Sequence, residues 1–552
     1  MKNFNNIEIK IQEMVDSLKA VAYNYGLTNS GDEARIITSI FLYKFLNDKY
    51  MYEIEKFAKE IGMTIQEIEE DETILQAFYD STANNVAFGK EDTIKSLIRH
   101  LGKENFYEYF DDALERISNN SRNDIFAMET TEGKKIGLFE KITSRVGEGE
   151  KNSFAKSIFS CITEDKINFS EAYDGKFDFF ARIFEYLIKD YNKDSGDYAE
   201  YFTPQSCARI MSKIISHNAV KTGVEVYDPS AGSGTLVMHL AHDLGVEEGV
   251  SKAMIYTQDL SLKSTGFLRI NLLLNGLSES LHNVRRGDTL KDPAHFQIEN
   301  NQASGLKRFD YVVSNPPFKA DFSETRDLIE ARFRETDRFF AGIPTVPKDK
   351  KKMPIYLMFI QHILYSLKDD GKAAIVVPNG FLTEGMNKKT NIANTIRKKL
   401  IEDNILVGVI SMPSNIFANT GTNVSILFLN KKKDNDEVFL LDASNMGKKV
   451  KEGKKQRTVL SIEDQNDIIN RFLSKEEIEG ISVKTTIGKI KSNYYSFSPG
   501  HYFEAKVKHG ELTNEEFITT IQSLYQQYSE LEKSKSEIKD SVDLLIKEYV
   551  NE

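Results

Sequence analysis

The sequence predicts an α/β fold in which a mostly parallel sheet lies between layers of helices. Three observations support it. Short apolar runs alternate with amphipathic segments through the middle of the chain, a glycine-rich turn follows the first run, and acidic or amide residues follow several others. Such alternation is typical of a sheet covered on both faces. Polar residues after its strands should collect at the carboxyl edge, where open α/β sheets bind ligands.

The chain divides into three predicted regions. Residues 1–165 form a helical domain, because apolar residues recur at helical spacing between Asp32 and Lys49. Residues 166–480 hold the alternating elements and form the predicted catalytic domain, and residues 481–552 form a C-terminal helical tail. Strands of the catalytic domain are predicted near residues 224–227, 254–258, 283–286, 309–314, 373–377, 405–411 and 424–430.

The glycine-rich turn has the sequence DPSAGSGT over residues 228–235, between a strand and an amphipathic segment. Glycines let the backbone approach a ligand closely, and the following helix offers unpaired N–H groups to a carboxylate. A dinucleotide fingerprint would carry a further glycine, and a phosphate loop would end in Gly-Lys-Ser or Gly-Lys-Thr. The context predicts a ligand-binding turn of another kind, with a plain structural turn as the alternative.

Two further acids follow the next predicted strands. Asp259 ends the second strand, where a carboxylate suits a ribose diol. Asp288 follows the third strand and could accept a hydrogen bond from an adenine amino group. Each acid alone is more often a cap or turn residue. Their order after the glycine turn favours one shared cofactor site.

The most informative stretch is Asn315-Pro316-Pro317-Phe318, which follows the predicted strand at 309–314. The Asn315 side-chain oxygen and a nearby backbone carbonyl can accept both hydrogens of a planar amino group. The prolines fix the backbone that carries the carbonyl, and the phenylalanine offers a stacking face for a base. A strand followed by a simple proline turn is the alternative, which the upstream glycine turn disfavours.

Together these motifs resemble those of adenine-specific DNA methyltransferases that use S-adenosylmethionine, and more narrowly the modification subunits of type I restriction–modification systems. The resemblance covers most of the chain and implies a Rossmann-like domain with a mixed seven-stranded sheet that ends in an antiparallel strand. It implies that Asn315, Pro316 and Phe318 hold the target adenine. The cofactor-binding residues that it implies are Tyr201, Thr203, Pro204, Asp228, Ser230, Gly232, Gly234, Thr235, Asp259 and Asp288.

Chemistry at such a site would depend on positioning and dipoles. A stacked adenine cannot reach a bound cofactor, so the base must flip out of the duplex. The Asn315 amide oxygen and the Pro316 carbonyl would stabilise positive charge on the exocyclic nitrogen during methyl transfer, without a strong general base. Phe417, between the last two predicted strands, could add a second ring against the base. Packing into the core is the more common fate of such a loop phenylalanine.

Composition limits the compartment and the cofactors. Hydrophobic content of 40% and charged content of 28% are ordinary for a globular protein. No apolar run reaches the length of a membrane span, and the amino terminus lacks the apolar core of a secretory signal. Only Cys161 and Cys207 are present, with no His cluster. We therefore expect no disulfide framework, no metal site and a cytoplasmic location.

The charge predicts dependence on partners. A net charge of −11 disfavours a chain that grips double-stranded DNA alone, because phosphate contacts need Lys and Arg. A cluster at Lys348 and 350–352 is either a DNA contact or a solvated loop. The resemblance implies a separate specificity subunit, a second copy of this chain and, in some assemblies, a restriction subunit with nuclease and translocase activity.

The tail carries an apolar heptad series with one polar break, which favours packing on helices of another subunit over folding back on its own domain. An irregular strap at 494–502 precedes it. The series is Phe517, Ile521, Leu524, Tyr528, Leu531, Ile538, Val542, Leu545 and Tyr549.

Three other functions fit parts of the pattern. A protein glutamine methyltransferase could use the same Asn-Pro-Pro-aromatic segment, because a side-chain amide also has a planar amino group. The amino-terminal helical domain and the C-terminal tail argue against this function. A single-chain restriction–modification enzyme would need a nuclease constellation, which the sequence lacks. A non-catalytic scaffold with an inactive cofactor site is disfavoured, because the set of motif residues is complete. These residues are Asp228, Gly232, Gly234, Asn315 and Phe318.

Overall fold

The chain forms two compact units, Met1–Tyr502 and Phe503–Glu552, and each is described by itself. The computed structural model describes residues 2–27, 31–82, 86–126, 128–129, 135–163, 167–170, 203–219, 221–247, 250–275, 277–300, 302–386, 388, 390–417, 423–452, 455–503 and 514–550. Every structural statement below refers to these residues.

A nine-stranded mixed sheet forms the centre of the first unit. Its strands in chain order are β1 Val224–Asp228, β2 Ala253–Asp259, β3 Val284–Arg286, β4 Phe309–Ser314, β5 Leu367–Pro378, β6 Leu406–Ser411, β7 Val424–Asn430, β8 Glu437–Asp442 and β9 Ser482–Thr486. Their order across the sheet is β3-β2-β1-β4-β5-β7-β6-β8-β9. Strand β7 is antiparallel to both β5 and β6, and β9 is antiparallel to β8, whereas the other neighbours run parallel.

All seven predicted strands are present, and the predicted α/β class with a mixed sheet is confirmed. The strand count of seven is wrong, because β8 pairs with β6 and β9 then pairs with β8 at the same edge. The apolar centre of β8 carried a usable signal, whereas β9 is a polar edge strand whose sequence, SVKTT, has little strand pattern. The boundary predicted at residue 480 falls just before β9, and the first compact unit continues to Tyr502.

Helices surround the sheet and build the amino-terminal region, so the predicted helical front is confirmed. The first seven are α1 Lys2–Asn24, α2 Gly31–Ile61, α3 Ile65–Glu70, α4 Glu72–Ser81, α5 Ile94–Leu97, α6 Phe106–Asn119 and α7 Lys151–Ser160. Those of the sheet region are α8 Gln205–Ile215, α9 Thr235–Leu244, α10 Leu262–Leu274, α11 Arg326–Phe333, α12 Tyr356–Tyr365, α13 Ile392–Glu402, α14 Ile462–Ser474 and α15 Ile487–Ser492.

Four two-stranded hairpins lie outside the main sheet. They are Met128–Glu129 with Lys135–Ile136, Val246–Glu247 with Val250–Ser251, Phe296–Glu299 with Gln302–Leu306, and Lys448–Glu452 with Lys455–Val459. The second compact unit contains α16, Asn514–Val550, a single helix of 37 residues.

Local sequence explains the main elements. Helix α2 buries Ile36, Ile37, Ile40 and Phe41, which recur at helical spacing. Helix α12 is buried from Tyr356 to Leu364, as expected for a helix enclosed on several sides. None of the helices in the described part of the chain is long and apolar enough to cross a membrane.

The topology places several loops together. Strands β1, β2 and β4 are parallel neighbours, so their carboxyl ends meet at one edge of the sheet. The glycine turn follows β1, Asp259 ends β2, and Asn315 follows β4. The fold alone therefore brings these three segments to one place.

Gly408→Ala should destabilise the fold, because a side chain at this position would collide with β8 and with Phe472 of α14. A Cβ at this position would lie 2.4 Å from the Phe439 carbonyl oxygen and 2.8 Å from Cζ of Phe472. Overpacking of this kind costs about 1–3 kcal/mol. Denaturant unfolding should show that loss, whereas Gly102→Ala, where a Cβ meets nothing within 4 Å, should be neutral. Equal stability of the two variants would contradict the β6–β8 packing.

Candidate active site

The glycine turn adopts a conformation that requires glycine. Gly232 and Gly234 have φ values of 52° and 85°, in the left-handed region that side chains disfavour. A Cβ at Gly234 would also lie 2.1 Å from Cδ1 of Leu268. Gly234 is the N-cap residue of α9, so the turn delivers the backbone directly into the start of that helix.

A direct hydrogen bond joins the glycine turn to the end of β4, just before the Asn-Pro-Pro-Phe segment. The Oγ atoms of Ser230 and Ser314 are 2.7 Å apart, although the two residues are 84 positions apart in the chain. Ser230 N also donates to Asp228 Oδ1 at 2.9 Å, which fixes the first bend of the turn. Because Ser314 immediately precedes Asn315, the predicted cofactor loop and the predicted target-base segment lie side by side.

The Asn315 side chain is oriented by Thr203. Its Nδ2 donates to Thr203 Oγ1 at 3.2 Å, and Thr203 is buried with 8% of its surface exposed. An amide whose nitrogen is bound in this way presents its oxygen to another partner. Within the described part of the chain, no group donates to Asn315 Oδ1. Pro316 is buried beside it, whereas Pro317 is exposed.

Asp259 connects the second strand to the glycine turn. Its Oδ2 accepts from Gly232 N at 2.9 Å, and its Oδ1 accepts from Ser261 N at 2.8 Å. The backbone continues the link, because Gly287 N donates to the Asp259 carbonyl at 2.9 Å. Asp259 is therefore held at the edge of the sheet between the glycine turn and the loop that follows β3.

The loop after β3 is bonded to the same turn. Thr289 Oγ1 donates to the Pro229 carbonyl at 2.6 Å. Asp288 Oδ1 accepts from the backbone N–H groups of Leu290 and Lys291 at 2.9 and 3.2 Å. Its second oxygen has no hydrogen bond from the described residues, so it is available to a ligand.

Burial controls the charge of Asp228. The side chain is almost fully buried, which raises its pKa to about 8, and the nearby Asp259 carboxylate adds to the rise. Burial also raises the pKa of Asp259. The folded-state pKa of Asp228 exceeds the unfolded value of about 3.9. Its contribution to stability is therefore full below pH 4 and is lost as pH rises toward 8.

The two rings that were predicted to contact the base, Phe318 and Phe417, lie in different surroundings. Phe318 is half-buried, and its ring lies edge-on to Tyr356 with centroids 6.5 Å apart. Phe417 is buried in the hydrophobic core with 8% of its surface exposed, which favours the packing alternative over stacking on a base. Tyr201 lies outside the described residues, and Pro204 precedes α8 as its N-cap residue.

Sequence reasoning missed Arg338, which supports the loop that carries Asp288. The guanidinium is fully buried and donates to the carbonyls of Leu290 and Thr289 at 2.8 and 2.7 Å. Burial lowers its pKa to about 10, so it remains charged at neutral pH. The guanidinium lies over the rings of Phe333 and Phe339. These two nearby aromatic residues are the one sequence signal for this arginine, and the signal is weak.

His362 completes the Arg338 network. Arg338 Nε donates to His362 Nδ1 at 3.1 Å, and His362 Nε2 lies 3.2 Å from the Tyr227 hydroxyl on β1. Burial lowers the pKa of His362 well below its ordinary value, so the ring is neutral. Because Nδ1 accepts, the proton is on Nε2 and is donated to Tyr227. The network ties the loop after Asn-Pro-Pro-Phe to the cofactor-side strand.

The groups at this edge fit S-adenosylmethionine, the cofactor that the resemblance implies. Asp228 is a buried carboxylate that no described Lys or Arg pairs with, which suits an ammonium group. Asp259 and Asp288 at neighbouring strand ends suit a ribose diol and an adenine amino group. Gly234 allows Leu268 to pack directly against the turn, where a Cβ would collide with it. Residues of one site thus offer acceptors for the ammonium group, the ribose hydroxyls and the adenine amino group of that molecule.

A family model described as N-6 DNA Methylase matches residues 175–511, which is more than half of the chain. The chain belongs to the N-6 DNA methylase family. The resemblance drawn from the sequence motifs is therefore confirmed.

Relatives of this N-6 DNA methylase cover from two thirds of the chain to nearly its whole length. It is 26% identical over 561 aligned positions to the type I restriction enzyme MpnII methylase subunit of Mycoplasma pneumoniae, covering 98% of this chain and 96% of the relative. It is also 26% identical to the type I restriction enzyme MjaIX methylase subunit of Methanocaldococcus jannaschii, covering 67% of this chain and 63% of that one.

Solved structures share the fold. A type I restriction–modification methyltransferase subunit from Streptococcus thermophilus superposes with a TM-score of 0.66 and 23% identity, covering 91% of this chain and 99% of that one. A modification subunit of a putative type I restriction enzyme from Vibrio vulnificus gives a TM-score of 0.52 at 17% identity, covering 88% and 93%. The predicted methyltransferase fold is confirmed by the first of these.

Arg338→Lys should weaken cofactor binding, because a lysine cannot donate to both loop carbonyls in the fixed geometry of the guanidinium. Lost buried hydrogen bonds cost about 1–3 kcal/mol, so calorimetry should show a Kd for S-adenosylhomocysteine raised about tenfold or more.

Arg332→Lys is the matched control, because Arg332 is exposed and contacts Lys291 and Asp292 of the same loop. Exposed contacts contribute about 0–1 kcal/mol, so its Kd should change little. Identical Kd values for the two variants would show that the buried network does not support the loop.

Proposed function

We propose that this chain transfers a methyl group from S-adenosylmethionine to the N6 amino group of an adenine flipped out of duplex DNA, as the modification subunit of a type I restriction–modification complex. Family membership supports the reaction class, and the type I relatives support the assembly. The observation that carries the proposal is the hydrogen bond between Ser230 and Ser314, because it joins the cofactor loop to the segment that would hold the base.

Three strand ends would hold the cofactor. Asp228 and the turn with Gly232 would face the methionine end, Asp259 the ribose and Asp288 the adenine. Ser230, Gly234 and Thr235 belong to the same turn, and Thr203 and Pro204 would complete the cofactor site from the start of α8. When bound, the cofactor supplies an activated methyl group on a sulfonium. The ionised Asp228 carboxylate would then pair with the ammonium group at the methionine end of the cofactor.

Asn315 and Pro316 would hold the target amino group. The bond from Asn315 Nδ2 to Thr203 fixes the amide orientation, so Oδ1 is presented as an acceptor. With the Pro316 carbonyl it accepts the two amino hydrogens and stabilises the charge that develops on nitrogen. These dipoles are in place before the reaction, so no reorganisation is needed. Thr203 acts as a positioning residue for Asn315.

Phe318 would receive the flipped base. A base stacked on an aromatic ring gains about 1–3 kcal/mol, which offsets part of the stacking lost in the duplex. Tyr356 supports the ring from its edge, and the Tyr356 hydroxyl donates to Glu384 at 3.3 Å. Transfer to a protein glutamine is not favoured, because the matching family is a DNA methylase.

The second compact unit fits the proposed assembly. Along α16, large apolar side chains are exposed at heptad spacing, including Ile521 at 40%, Leu524 at 54% and Leu531 at 69%. We infer that this stripe packs on helices of a specificity subunit. A second copy of the chain, a restriction subunit and a cytoplasmic location remain parts of the same proposal.

Asn315→Ala should abolish efficient methylation while leaving the fold and S-adenosylhomocysteine binding intact. Loss of one preorganised partner of the developing charge lowers the rate about 10²- to 10³-fold. The assay is transfer of a labelled methyl group to unmethylated genomic DNA by the chain with its accompanying subunits. Asn119→Ala, an exposed helix-end residue, should retain the wild-type rate. Normal turnover by Asn315→Ala would place the base elsewhere.

Cofactor binding should release a proton from Asp228. At pH 7 a carboxyl with a pKa of about 8 is mostly protonated, and it must ionise to pair with an ammonium group. Affinity for S-adenosylmethionine should therefore rise about tenfold between pH 6 and pH 7. Calorimetry in buffers of different ionisation enthalpy should show nearly one proton released.

Asp228→Asn should bind weakly, with no such proton release. Asp321→Asn is the control, since hydrogen bonds from Ser323 lower the pKa of this exposed carboxyl, which is already ionised at pH 7. It should behave as the wild type. Proton release that persists in Asp228→Asn would assign the titration to another group.

A further inference from the structure

The hairpin of Lys448–Glu452 with Lys455–Val459 is strongly basic. Residues 448–459 contain six Lys or Arg residues and one acid, in a chain whose net charge is −11. The side chains of Lys448, Lys449 and Lys451 are exposed. Within the described part of the chain, none of these three ammonium groups pairs with a carboxylate. A concentration of unpaired positive charge in an acidic protein requires an explanation.

The base of the hairpin is held firmly. Thr458 N donates to the Asn415 carbonyl at 3.1 Å, and Thr458 Oγ1 donates to the Ser414 carbonyl at 2.7 Å. Gly447 enters the hairpin with a φ of 83°, and a Cβ there would lie 2.8 Å from the Val459 carbonyl oxygen. The lysines are therefore displayed on an anchored ribbon.

The anchor lies at the edge of the sheet that carries the candidate active site. Asn415 follows β6, whose carboxyl end is at that edge, and the hairpin itself follows β8, which runs parallel to β6. Arg457 on the second hairpin strand lies within electrostatic reach of Cys207 on α8, the helix that directly follows Thr203 and Pro204. The hairpin thus flanks the elements that would hold cofactor and base.

We propose that this basic hairpin binds the phosphate backbone of the duplex whose adenine enters the active site. The inference rests on the proposed function and adds the surface by which this chain itself contacts DNA. Ammonium groups at spaced positions match phosphates, each of which carries a negative charge along the helix. Such contacts position the duplex and carry no base sequence, so sequence choice is left to a partner.

Duplex DNA fits the hairpin better than an acidic protein does. The exposed part consists mainly of Lys side chains, with Gln456 and Val459 beside them. Val450 is only half-exposed, and no aromatic residue occurs between 448 and 459. Protein interfaces are enriched in aromatic residues and depleted in Lys, which is the opposite composition. Location beside the candidate active site favours the substrate over a remote regulator.

The test is a triple substitution, K448Q with K449Q and K451Q, in the full chain with the subunits that purify with it. Fluorescence anisotropy with a labelled unmethylated duplex should show affinity reduced at least tenfold near 100 mM salt. The slope of log affinity against log salt should fall by about two to three, since each phosphate contact contributes roughly 0.9. In labelled-methyl assays, KM for DNA should rise while kcat at saturating DNA and Kd for S-adenosylhomocysteine stay unchanged.

A matched control removes the same charge at the opposite edge. Lys432, Lys489 and Lys491 are exposed and follow the strand ends remote from the active site. Their replacement by Gln should leave KM and the salt slope at wild-type values. Equal effects of the two triple variants on KM and the salt slope would show that only the net charge matters. That result would overturn the proposal.

The outcomes separate the two proposals. If the wild-type complex methylates DNA and the hairpin variant keeps its affinity and salt slope, the hairpin proposal is overturned and the proposed function stands. If the variant keeps DNA binding but loses a co-purifying acidic subunit, the hairpin is a protein contact instead. A wild-type complex that transfers no methyl group to DNA overturns the proposed function, and the hairpin proposal with it.

Discussion

The candidate active site depends on one constraint of topology, the parallel pairing of β1 with β4 in the middle of the sheet. This pairing places the turn after β1 directly beside the segment after β4, and the bond between Ser230 and Ser314 closes the contact. A cofactor loop and a base-holding segment that are far apart in sequence thereby become one site. Strand β2 adds Asp259 from the other side. Without this strand order, the same motifs would have no common target.

Buried polar groups surround that contact and form hydrogen bonds with backbone and side-chain atoms. The Arg338 guanidinium donates to two loop carbonyls and to a neutral His362, and the nearby Asp288 carboxylate stabilises its charge. Asp228 stays protonated in the absence of a cation because burial disfavours its charge. Both arrangements cost stability, which is typical of sites organised in advance for a ligand.

Much of this was predictable from sequence. Most of the seven predicted strands carry short apolar runs. The glycine turn and the Asn-Pro-Pro-Phe segment are dense local signals, and topology explains their positions at strand ends. The rest depends on long-range geometry. Strand β9 forms only because β8 offers an edge, and Arg338 becomes informative only when the loop carbonyls that it serves are known. The orientation of Asn315 by Thr203 likewise joins residues 112 positions apart.

The most direct measurement of the central claim is a crystal structure of this chain with S-adenosylhomocysteine. We expect ligand density across the ends of β1 and β2, with the ribose at Asp259, the amino-acid end against the glycine turn, and the sulfur facing Asn315. Density at any other place on the sheet, or a ligand whose sulfur faces away from the segment that begins at Asn315, would contradict it.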